Sequence, residues 1–154
     1  MLDISKITDY LYVGSRIGKE HADDIKLHKF DLIISMIAQI PLDEVYTLAP
    51  FKSLWIKTYD SMFFPIEINK LVLGVEQALP VIRSGGKVLV FCRQGRRRSI
   101  AMSACILIAI GHSLNEAISL LMSARKVADP RMWYIHRRIC AFEKYWYAKH
   151  PRQS

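Results

Sequence analysis

Val88-Leu89-Val90-Phe91-Cys92-Arg93-Gln94-Gly95-Arg96-Arg97-Arg98-Ser99 contains three pieces joined without a break. Val88 to Phe91 is apolar at every position, the pattern of a parallel strand buried on both faces. From Ile100 to Ile110 the chain is apolar on nearly every side, as in a helix sunk in a core. Between them lies a short loop with one glycine and four arginines. Such a loop points backbone N–H groups inward, and the helix N-terminus adds partial positive charge. The result is an anion cradle with the sulfur of Cys92 at its lip.

Each residue type in this spacing has a chemical reason. A thiolate attacks phosphorus or sulfur well, and loop amides with a helix N-terminus favour that form. Arg98 offers a planar fork able to grip two phosphoryl oxygens, which a lysine cannot copy. Gly95, midway, lets the chain turn closely around an anion with no Cβ in the way. Ser99 is placed to hydrogen-bond the sulfur and help it leave a covalent intermediate. The amides of residues 93–98 form the cradle. The spacing alone also fits a buried free cysteine beside a basic surface loop.

Cys92-x-x-Gly95-x-x-Arg98-Ser99 resembles the signature loop of cysteine-dependent protein phosphatases, specifically the small dual-specificity group. Ile7-Thr8-Asp9-Tyr10-Leu11-Tyr12-Val13-Gly14-Ser15 is similar to that group's N-terminal stretch. Asp60 follows a strand about thirty residues before the cysteine, where the family keeps a mobile acid loop. Ser113-Leu114-Asn115-Glu116-Ala117 and Phe142-Glu143 resemble its closing helices. The likeness covers roughly residues 5 to 146, and Phe91 stands where the family usually has histidine. It implies a metal-independent, cofactor-free phosphatase acting through a cysteinyl-phosphate. Cys92 would be the nucleophile, Arg98 the phosphate clamp and Asp60 the general acid. The partner would be a phosphorylated protein or another phosphomonoester.

The chain has 154 residues, 51% of them apolar, and a formal net charge of +8. That length suggests one domain over residues 1–154. No run approaches the roughly 18 apolar residues of a membrane span. Nor does the start show a basic-then-apolar signal peptide. Three widely spaced cysteines argue against a disulfide framework and for a reducing cytoplasm. Cys105 and Cys140 read as helix-borne core residues. His21, His28, His112, His136 and His150 show no metal-ligand pairing.

The charge is uneven. Residues 1–91 carry a net −1, the loop 92–98 carries +4, residues 99–124 carry −1 and 125–154 carry +6. The basic C-terminal stretch fits a solvated helix face, or a surface for nucleic acid, acidic lipid or an acidic partner.

Strands are expected at 4–8, 11–14, 31–37 and 52–59, with a helix over 19–28. A helix over 66–82 carries Pro80, which should kink it or end it early. Gly85-Gly86 turns the chain into the cysteine strand. Gly111 suits a helix C-cap, and Ser113-x-x-Glu116 a capping box. Asp129-Pro130 looks like an N-cap and first position opening a last helix. The alternation predicts an α/β fold: a central, mostly parallel sheet flanked by helices, with the phosphate-binding loop between the last strand and a buried helix. Ligands then belong beyond the C-terminal strand ends, where Cys92 and Asp60 both fall.

Asp60 would protonate the leaving oxygen, although aspartates also commonly cap turns. Met62-Phe63-Phe64-Pro65 is very apolar for a loop, and packing against the core is favoured over a greasy lip. Arg93, Arg96 and Arg97, with Gln94, cannot all face one phosphate, so some should ring the mouth. That favours polyanionic substrates such as phosphoinositides, phosphatidylglycerol phosphate or RNA 5′ ends; a solubilising rim is the alternative. Cys92 to Arg97 also resembles the shorter loop of rhodanese-like sulfurtransferases. A non-catalytic phosphate-binding module is suggested only by Phe91.

Overall fold

The apolar run Val88–Phe91 forms a strand with all of its residues buried. The other strands are β1 (Ile4–Lys6), β2 (Leu11–Gly14), β3 (Leu32–Ile37) and β4 (Ser53–Thr58), which makes Val88–Phe91 β5. In this computed structural model, which describes residues 2–152, they form one sheet in the order β1-β2-β5-β3-β4. β1 runs antiparallel to β2, and the other pairings are parallel. The cysteine strand therefore lies in the middle, where β-branched and aliphatic residues can be covered on both faces. β3 is buried at all six positions for the same reason.

Five α-helices flank the sheet: α1 (Ala22–His28), α2 (Ile68–Arg83), α3 (Arg98–Ile110), α4 (Leu114–Ala124) and α5 (Trp133–Lys149). A 3-10 turn, Lys19–His21, leads into α1. α3 is the buried helix: every residue from Arg98 to Ile108 is covered, chiefly by the sheet, α2 and α5. This fits its all-round apolar surface. Its C-cap is Gly111 with φ 133°, and Ser113 and Glu116 exchange both bonds of a capping box at the start of α4. Cys105 is buried, Cys140 only partly, and both are free thiols, as is Cys92.

Two expectations need correction. Pro80 does not end α2, which continues to Arg83. The proline removes one N–H, but it lies in the last turn, and its own carbonyl accepts from the Ser84 N–H at 3.1 Å. Nor does Asp129-Pro130 open α5, which starts at Trp133 after Met132 as N-cap. Asp129 has a tertiary partner, Arg97, that outweighs a local cap.

Candidate active site

The parallel register of β2, β5 and β3 sets Cys92 at the C-terminal edge of the sheet's centre. Gly14 lies opposite Phe91, and its carbonyl accepts from the Cys92 N–H at 3.4 Å. One step on, the Arg16 N–H donates to the Arg93 carbonyl at 3.2 Å. The β2 stretch noted in the sequence is thus a rail beside the cysteine strand. Phe91 is 2% exposed and belongs to the core.

Cys92 Sγ lies 3.1 Å from Ser99 Oγ, and both residues are buried. Cys92 lines a pocket of about 220 Å³ together with Arg98, Asp60, Gln39, Arg93, Gln94, Arg96 and Arg97. Arg98, 4% exposed, donates from Nη1 to the carbonyls of Thr58 (2.9 Å) and Met36 (3.3 Å) and to Gln39 Oε1 (3.4 Å). Among the described residues its Nε–Nη2 edge has no protein partner, so that edge remains for an anion. The tips of β3 and β4 thereby hold the guanidinium in one orientation.

Gly95 is the buried residue of the loop and does not line the pocket. Its φ is 65°, and a Cβ there would stand 2.6 Å from Arg125 Nη2 and 2.7 Å from the Gly14 carbonyl. Only glycine suits both conditions. Arg125, 3% exposed, is a strut under the turn, donating to the Gly95 carbonyl at 2.8 Å and the Gln94 carbonyl at 3.0 Å. Its far edge grips both Asp3 oxygens, at 3.1 and 2.8 Å. The Arg125 bonds hold the Asp3 carboxyl below its usual range, against a smaller opposing effect of burial. Neither Arg125 nor Asp3 stands out in the sequence, because the two are 122 positions apart.

Asp60 is held from two sides. The Tyr134 hydroxyl donates to Oδ1 at 2.6 Å, and Arg97 Nη1 lies 3.5 Å from Oδ2. Arg97 also donates to Asp129 Oδ2 at 3.2 Å and to the Tyr134 oxygen at 3.2 Å. Partial burial works against the Arg97 charge, but Asp129 and Asp60 more than offset it and raise Arg97 above its ordinary value. Burial first, and then the bond to Asp60, raise Tyr134, so it stays a donor. Arg97 is therefore engaged within the protein, whereas Arg93, Gln94 and Arg96 are exposed at the mouth. Tyr134 and Asp129 are further site residues that the sequence reading missed. The one hint was that Tyr134 lies off the apolar stripe of Met132, Ile135 and Ile139.

The Met62–Phe64 segment does not pack against the core as expected. Phe63 is 80% exposed, Phe64 65% and Met62 49%, so these side chains stand in solvent beside the acid loop. The chain's direction explains this, since it must climb from Asp60 at the mouth back to Ile66, the next buried residue.

A family model described as "Dual specificity phosphatase, catalytic domain" matches residues 11–144. Mouse dual specificity phosphatase 28 is 43% identical over 54 residues, 34% of this chain and 33% of that protein. The Arabidopsis thaliana protein-tyrosine-phosphatase MKP1 is 25% identical over 134 residues, 86% of this chain and 17% of its own length. The chain thus spans a third or less of either curated relative. Among solved structures, PTPMT1 in complex with PI(5)P superposes with a TM-score of 0.82 at 23% identity, covering 96% of this chain and 98% of that one. That likeness is one of fold.

Proposed function

The chain belongs to the dual-specificity phosphatase catalytic-domain family, and on that footing we propose that it hydrolyses phosphate monoesters through a phosphocysteine on Cys92. The observation that carries this reading is one pocket lined by Cys92, Arg98 and Asp60 together. In the first step the thiolate forms an S–P bond as the ester P–O bond breaks, and Asp60 gives its proton to the departing oxygen. The equatorial oxygens lie against the loop amides and the free edge of Arg98, where charge develops without reorganisation. In the second step a water attacks phosphorus, Asp60 takes its proton and the S–P bond breaks. Ser99, 3.1 Å from the sulfur, hydrogen-bonds the thiolate as it leaves.

Phosphorylated proteins are the first substrate class. A polyanionic substrate, such as a phosphoinositide, phosphatidylglycerol phosphate or RNA 5′ end, is the second. Exposed Arg93 and Arg96 at the mouth favour it. The related fold of PTPMT1, solved with PI(5)P, is compatible with it. Residues 1–154 would act as one catalytic domain in the cytoplasm, where a reducing medium keeps Cys92 a thiol. The exposed Arg137, Lys144 and Lys149 of α5 would suit an acidic partner.

Cys92→Ser tests the reading. The variant should fold, bind phosphate or sulfate, and turn over neither phosphopeptide nor aryl phosphate. Robust turnover by it would refute the mechanism, as would loss of wild-type activity on adding a chelator. Thiosulfate-to-cyanide transfer by the wild type would point instead to sulfurtransferase chemistry.

A further inference from the structure

Asp60 lines the pocket of arginines, and the segment directly after it puts three consecutive large apolar side chains into water. Phe63, at 80% exposure, is among the most exposed large apolar side chains of the described residues, and Phe64, 65% exposed, has its ring centroid 5.8 Å from that of half-exposed Tyr59. Burial in the core does not explain them, since Ile66 is the first residue after Asp60 to enter it. Charge near the lip is one-sided as well. Asp60 and Asp129 are both paired with Arg97. Exposed Arg93 and Arg96 make no ion pair among the described residues. The connection bonded to Asp60 through Tyr134 and Arg97 repeats the combination. The connection from α4 to α5 is bonded to the loop through the Asp129 N–H and the Arg96 carbonyl at 2.8 Å. It carries exposed Lys126, Val127 and Arg131 and ends at Trp133, 51% exposed.

We propose that this rim is a docking surface for an anionic phospholipid bilayer. Phe63 and Phe64 enter the boundary between headgroups and acyl chains, while Arg93 and Arg96 meet the anionic headgroups. Aromatic side chains combined with unpaired cations are how peripheral proteins hold such surfaces. A dissolved polyanion would use the arginines and leave both phenylalanines in water. A bilayer accepts apolar side chains as exposed as Phe63 and Phe64, and exposed Lys57 lines the same recess as both, adding a cation for the headgroups. The docking rests on the phosphatase reading only for its purpose, which is to bring a headgroup phosphomonoester over Cys92. The binding itself requires no turnover.

The test is cosedimentation of the full chain with vesicles of phosphatidylcholine alone and of phosphatidylcholine mixed with phosphatidylglycerol. The wild type should bind the mixed vesicles and not the neutral ones. The double variant Phe63→Ser/Phe64→Ser should bind about ten-fold more weakly, with kcat/KM on a small soluble aryl phosphate unchanged. Phe63→Ser alone, the milder change, should fall between. Failure of the wild type to bind mixed vesicles, or binding by the double variant equal to that of the wild type, overturns the proposal. Normal vesicle binding by the double variant with reduced kcat/KM on phosphopeptides also overturns it and assigns the lip to peptide docking. Absence of aryl phosphate turnover in the wild type would refute the phosphatase reading while leaving the vesicle result to stand or fall separately.

Discussion

Tyr134 and Asp60 share a 2.6 Å hydrogen bond that joins the first turn of the last helix to the acid loop. The Asp60 side chain is 34% exposed, so without Tyr134 and Arg97 it would sample many positions at the pocket mouth. A general acid matters in proportion to how badly the departing oxygen needs a proton. Asp60→Asn should therefore cost about 10²–10⁴-fold in kcat on an alkyl phosphate or phosphotyrosine. It should cost far less on an aryl phosphate whose phenol is already acidic. Equal losses on both would assign Asp60 to loop structure alone. Tyr134→Phe removes one bond and leaves the carboxyl in place, so the alkyl substrate should lose about ten-fold in kcat at most. Its KM should hold, and the acidic-phenol substrate should be indifferent. A uniform loss would mean that Tyr134 merely stabilises the helix.

The connection between β5 and α3 depends on an element far away in sequence. Arg125, just past the end of α4, supports it from below and is anchored to Asp3, just before β1. Because the Asp3 carboxyl is depressed in the folded protein, its contribution is present above about pH 4 and lost as pH falls through the lowered folded value. Asp3→Asn should lower Tm at pH 7, and the gap to the wild type should close in thermal melts taken toward pH 3. A gap independent of pH would remove the ion pair from the explanation. The strand, loop and buried helix around Cys92 were legible in the sequence because their signals lie within a few neighbouring residues. Gly111 and the Ser113–Glu116 box were legible for the same reason. Asp129 misled because its pairing with Arg97, 32 positions away, leaves no local trace. Arg125 was invisible because a lone arginine after a helix says nothing about where its fork points. The exposed Phe63 and Phe64 ran against the expectation that greasy residues pack, which is where sequence logic fails at a surface with work to do.

For the molecule as a whole, the net charge of +8 is concentrated on the loop and the C-terminal part rather than spread evenly. If the pocket mouth attracts substrates by charge, that pull acts through solvent and is screened over about 10 Å at 0.1 M salt. Arg93→Ala and Arg96→Ala should then hurt polyanionic substrates more than a small aryl phosphate, and added salt should shrink the difference. Equal losses at every salt concentration would make these residues a solubilising rim. Turnover itself depends on a covalent step at Cys92, just past the end of β5, and the intermediate can be trapped. The protein should be denatured rapidly during turnover of excess aryl phosphate, and its peptides analysed by mass. One phosphoryl group should appear on the wild-type peptide containing Cys92 and none on that peptide from Cys92→Ser, which should not turn over. Steady wild-type turnover with an unmodified Cys92 peptide, or undiminished turnover by Cys92→Ser, would contradict the mechanism.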